Sequence, residues 1–126
     1  MRRKTLKSTA ISGQIADRIR AEIASGVYKP GDKIPPVRTY AEELGVTANT
    51  LQKSFKILGD EGLLEAKSTS GRFVTSDVAV IEGIRQRMRS EVLMRMCNAA
   101  RRLGYTKDEV VLFVSNYFDS REKEKG

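Results

Sequence analysis

The sequence predicts a mainly α fold in which an N-terminal α+β winged helix-turn-helix precedes a two-helix C-terminal appendage. Three observations carry this. Apolar residues recur at steps of three and four in several separate stretches, the spacing that gives a helix one buried face. Residues Pro35 to Phe55, PPVRTYAEELGVTANTLQKSF, write two short helices joined at a glycine. Two β-like runs, Leu63-Leu64-Glu65-Ala66 and Arg72-Phe73-Val74-Thr75, flank the turn Ser68-Thr69-Ser70-Gly71 and read as a hairpin.

Taken in order, Ile11, Ile15, Ile19 and Ile23 recur every fourth residue among Gln14, Asp17, Arg18 and Glu22, which predicts an amphipathic helix ending at Gly26. Tyr28-Lys29-Pro30-Gly31 reads as a turn, because proline fixes φ and glycine takes the left-handed conformation. Pro35-Pro36 sets up the next helix, with Val37, Tyr40, Ala41 and Leu44 as its buried stripe and Gly45 as the turn that follows. Thr47 is placed to cap the third helix through its hydroxyl. Leu51, Ser54, Phe55 and Leu58 then face inward, leaving Ala48, Asn49, Gln52, Lys53 and Lys56 outward, with no acid until Asp60.

Residues 77–126 hold a different pattern. Ile81, Ile84, Met88, Val92, Met96, Ala99 and Leu103 predict one long helix of about 40 Å that stops at Gly104. Thr106-Lys107-Asp108-Glu109 has the form of a capping box, followed by the stripe Val110, Phe113, Val114, Tyr117 and Phe118. Two helices enclose no effector pocket by themselves, and their apolar stripes need cover. That cover is either the winged helix or a second chain; dimerization is favoured, through Ile84, Met88, Val92, Met96, Phe113 and Tyr117. The expected organisation is a basic arm over 1–10, a DNA-binding domain over 11–76 and a helical tail over 77–126.

Composition narrows the function. The chain has 126 residues, a formal net charge of +7 and no histidine. Residues 1–76 carry 13 basic and 8 acidic side chains and residues 77–126 carry 10 and 8, so the positive excess lies with the helix-turn-helix half. Such a balance points to a polyanionic partner. The arm MRRKTLKSTA is followed by no apolar core of a secretory signal, and no apolar run suits a membrane span, so a cytoplasmic protein is expected. The arm itself is read as disordered or as a phosphate contact. One cysteine and no histidine leave no disulfide and no zinc set, and neither metal nor cofactor is expected. Cys97 reads as a small buried hydrophobe in preference to a redox-sensing thiol. Glu42-Glu43 and Asp60-Glu61 read as solvated charge. Without a histidine, a phosphate loop or a nucleophile-plus-base set, enzyme chemistry is not expected.

Residues 11–75 resemble the DNA-binding domain of the GntR family of bacterial transcriptional regulators. The residues that carry this are Gln14-Ile15, Gly26, Tyr28, Pro30-Gly31, Ile34-Pro35, Arg38, Ala41, Leu44, Val46, Asn49-Thr50, Leu58, Glu61-Gly62-Leu63-Leu64, Gly71 and Phe73-Val74. Pro36, Ala48 and Thr69 depart from the usual pattern. The resemblance implies that Arg38 contacts DNA, that Thr47, Ala48, Asn49, Thr50 and Gln52 line the major groove, and that the wing around Ser70 and Gly71 reaches the adjacent minor groove. The side-chain chemistry is compatible: arginine grips phosphate or a guanine edge, Asn and Gln pair with adenine, and threonine meets phosphate or a thymine methyl. Lys53, Lys56, Lys67 and Arg72 would add charge.

The short tail, with Ala100-Arg101-Arg102-Leu103-Gly104-Tyr105-Thr106 and Glu109, is similar to the YtrA subfamily, in which a helical appendage forms the homodimer. That likeness implies repression of a transport operon. The expected protein is therefore a homodimeric regulator on a palindromic double-stranded operator, with no membrane partner; the residues identify no small-molecule effector. The alternative is a helical protein-interaction adaptor that uses a winged helix without specific DNA binding.

Overall fold

A computed structural model describes residues 2–67 and 71–125, with side chains for 10–67 and 71–122. The elements run α1 (Arg2–Ser25), α2 (Val37–Leu44), α3 (Ala48–Asp60), β1 (Leu64–Ala66), β2 (Arg72–Val74), α4 (Val78–Arg102) and α5 (Lys107–Lys125). The chain divides into two compact units, one up to Gln86 and one from Arg87 onward. The boundary thus lies ten residues beyond the expected break after residue 76, so the start of α4 belongs with the winged helix.

In the first unit the isoleucines of α1 meet the inner face of α3. Ile15, Ile19, Ile23, Leu51, Phe55 and Leu58 are buried, as are Ile34, Tyr40, Leu63, Leu64 and Val74 around them. Removing a side chain of this size from water stabilises the unit by about 1.5–3 kcal/mol. Two serines let α1 and α3 come close. Ser54 Oγ donates to the Ser12 carbonyl at 2.8 Å, and Ser12 Oγ donates to the Thr50 carbonyl at 3.2 Å. Both hydroxyls are therefore satisfied where water does not reach.

A second tie lies at the other end of α3. Arg20 Nε and Nη2 donate to the two oxygens of Glu61 at 2.8 and 2.7 Å. This corrects the expectation that Glu61 is solvated charge: its side chain is 21% exposed and that of Arg20 13%. The Glu61 hydrogen bond, with added help from Asp17, holds the Arg20 guanidinium above its ordinary value against the opposing effect of burial. Because Ser12 faces Thr50 while Arg20 faces Glu61, α1 and α3 run in the same direction.

The helix α1 begins at Arg2, so residues 2–10, expected as a separate arm, continue the helix of 11–25. Their lack of apolar periodicity hid this from the sequence. Ile84 is also corrected: at 7% exposure it is buried within the first unit and is withdrawn from any surface offered to a second chain.

In the second unit, α4 ends at Arg102 and the chain turns at Gly104, whose φ of 82° suits a residue without Cβ. Thr106 and Glu109 then form a reciprocal cap, with the Thr106 N–H on Glu109 Oε1 at 2.9 Å and the Glu109 N–H on Thr106 Oγ1 at 3.2 Å. The Tyr105 and Phe113 rings meet edge to face at 5.0 Å. Leu93, Met96, Cys97, Ala100, Val110 and Val111 line an apolar groove of about 420 Å³. Cys97 is half-buried there.

Candidate nucleic-acid interface

The turn between α2 and α3 is built from backbone requirements that particular residues meet. Gly45 ends α2 at φ 70°, with its N–H on the Glu42 carbonyl and the Val46 N–H on the Ala41 carbonyl at 3.0 Å. Thr47, extended at φ −75° and ψ 154°, then caps α3 by accepting the Thr50 N–H at 3.2 Å. Its hydroxyl also meets Thr50 Oγ1 at 2.9 Å. Thr50 is thus anchored twice, through this cap and through its carbonyl on Ser12, which fixes the first turn of α3 against α1.

That first turn presents Ala48 and Asn49 to solvent, followed on the same face by Gln52, Lys53 and Lys56. Thr50 is half-buried. Arg38, in the first turn of α2, is exposed and makes no hydrogen bond or ion pair among the described residues. Lys56 does not fit the expected acid-free face, since its Nζ lies 3.2 Å from Asp60 Oδ2 one helical turn on. Both groups are well exposed, so the pair is worth a few tenths of a kcal/mol and yields readily to a stronger anion.

The wing is the expected two-stranded hairpin, extended by one isolated bridge from the segment before α2. β1 and β2 pair antiparallel with Leu64 opposite Val74 and Ala66 opposite Arg72, and the Lys67 N–H closes the hairpin on the Gly71 carbonyl at 3.0 Å. Lys33 adds a bridge to Phe73, flanked by bonds from Ile34 N–H to Arg72 and from Val74 N–H to Asp32. A single paired residue before Pro35 leaves too little alternation to be seen in the sequence. Gly71, at φ 96°, needs its lack of Cβ; Ser70 lies outside the described residues.

Arg72 is placed differently from the free phosphate-binding cation expected of it. It is half-buried, with its guanidinium 5.0 Å from the centre of the Phe55 ring, so it pins the wing to α3. Lys67 and Lys33 lie instead over Phe73, at 5.1 and 6.0 Å from its centre. Lys33 is the cation that sequence reasoning missed. Behind the helix-turn-helix, burial and then a hydrogen bond with Tyr28 push the Tyr40 phenol well above its ordinary range.

Three helices closed on a short wing, with the first turn of the third helix turned to solvent, define a winged-helix DNA-binding transcription regulator. Residues 11–74 match the family described as bacterial regulatory proteins, gntR family. An uncharacterized HTH-type transcriptional regulator, YhcF of Bacillus subtilis, is 30% identical over 98 residues, 78% of this chain and 81% of that protein. The HTH-type transcriptional repressor YtrA of Bacillus subtilis is 33% identical over 78 residues, 60% of each. Among solved structures, a GntR family transcriptional regulator from Listeria monocytogenes superposes with a TM-score of 0.81 at 26% identity, over 84% of this chain and 93% of that one. The chain belongs to the GntR family. These relatives are transcription regulators. Other curated relatives are much longer, and this chain spans 13% of two of them.

Proposed function

We propose that the chain is a homodimeric, sequence-specific repressor of an operator with inverted-repeat symmetry, acting in the cytoplasm on genes that include a transport operon. The observation that carries the DNA reading is the α3 face: Ala48, Asn49 and Gln52 stand exposed on a helix whose first turn is fixed by Thr47 and Ser12. Side chains held in this way enter a major groove without first having to be ordered. Arg38, exposed in the first turn of α2, supplies a phosphate or guanine contact.

The homodimer rests on the second unit. Val92, Leu112, Phe113, Tyr117 and Phe118 are exposed in the single chain, Tyr117 by 67%. A cluster of this size facing water is unusual for a monomer, and a second copy supplies the matching surface. Met88 and Met96 on α4 are half-buried. Repression and the transport operon follow the likeness to YtrA. A gel shift on the DNA upstream of the chain's own gene tests the reading: a discrete complex, resistant to scrambled competitor, supports it, and equal competition by scrambled DNA removes the sequence specificity.

A further inference from the structure

We infer that Lys33 is a DNA-contacting residue, paired with Lys67 across the Phe73 ring as a two-ammonium grip on the phosphate strand facing the wing. This rests on the DNA-binding reading above and adds to it a contact from outside both the helix-turn-helix and the hairpin. Lys33 lies opposite Phe73 across a β-bridge, which puts both side chains on one face of the sheet. Its stem runs along the wing, with Cε 3.5 Å from where a Cβ on Gly71 would sit. The ammonium groups of Lys33 and Lys67 therefore gather on one ring beside the hairpin turn, 6.0 and 5.1 Å from its centre.

Two like charges on one ring repel each other, and no direct ion pair among the described residues neutralises either of them. Asp32, the nearest acid in sequence, turns its carboxylate to the Lys29 N–H at 2.8 Å. Glu65 faces Phe73 from β1 without pairing with either lysine. Such a site gains most from an external anion, and a DNA phosphate is the anion a wing of this kind meets. The ring limits the freedom of both stems before binding, so less order is lost on contact.

The test measures affinity for the upstream duplex, and for a random-sequence duplex, over a range of salt. Each lost phosphate contact lowers the slope of log affinity against log salt by about 0.9. Lys33→Gln should lower it by that amount per protomer on both duplexes, Lys33→Arg should restore it, and Lys29→Gln, with no aromatic ring beneath it, should leave it nearly unchanged. Unfolding curves of each variant keep folding and binding separate. A Lys33→Gln slope equal to that of the unaltered chain would overturn the grip while leaving the DNA reading intact. Equal effects of Lys29→Gln and Lys33→Gln would show bulk charge alone and would also overturn it. If the unaltered chain binds neither duplex, the DNA reading itself fails.

Discussion

Arg20 and Glu61 face each other through two parallel hydrogen bonds, Nε to Oε1 at 2.8 Å and Nη2 to Oε2 at 2.7 Å, so the end of α3 is fastened to α1. The pair is mostly shielded from water, and removing one partner leaves the other charge partly buried and unmatched. Glu61→Gln should cost about 2 kcal/mol of unfolding free energy in denaturant titration. A loss below about 0.5 kcal/mol would show that the pair behaves as an ordinary surface ion pair.

The middle of α3 depends on Ser54. Ser54→Ala, which deletes the bond to the Ser12 carbonyl, should cost about 1 kcal/mol. Ser54→Leu should cost about 1–3 kcal/mol, because added carbons at a residue with no exposed surface push α1 and α3 apart. The larger variant should also weaken DNA binding in protein that remains folded, since it displaces the turn that carries Asn49.

Gly45 joins the two helices at φ 70° with open space where a Cβ would point. Its replacement is therefore a backbone question and not a steric one. Gly45→Ala should cost about 1–2 kcal/mol, and Gly45→Asn less, because asparagine tolerates the left-handed region. Equal melting curves for the two variants would contradict this.

Arg38→Ala should leave stability within about 0.5 kcal/mol, as expected for an exposed side chain with no partner. Specific DNA binding should weaken by about 1–3 kcal/mol if the guanidinium reads a base. Unchanged affinity would remove Arg38 from the interface.

Tyr40 makes stability depend on alkaline pH. The folded chain holds its phenol well above the usual value while the unfolded chain releases that proton near pH 10. Below pH 10 the contribution is complete; as pH rises beyond it the unfolded state binds fewer protons and stability falls. Tyr40→Phe should flatten that fall, which denaturant midpoints on either side of pH 10 would show.

What the sequence made legible was mostly local. Gly45, Thr47, Gly104 and the Thr106–Glu109 cap are each signalled within a few residues, so α2, α3, α4 and α5 stand close to where their residues place them. The inward set Leu51, Ser54, Phe55 and Leu58 follows from helical periodicity alone. Long-range pairings were hidden. Nothing near Glu61 announces Arg20, and nothing near Lys33 announces Phe73, because those partners are 41 and 40 residues away in the chain. Arg72 looked like a free cation for the same reason: its ring partner, Phe55, belongs to another element.

The central proposal is a dimer that reads DNA through two α3 helices, and binding stoichiometry on the upstream duplex tests it most directly. Sedimentation of the full chain with that duplex should give one complex of two chains per operator, and Val92→Glu with Tyr117→Glu should yield folded monomers whose binding is weak and indifferent to sequence. A full chain that stays monomeric at micromolar concentration yet binds the same duplex tightly and specifically would contradict the account.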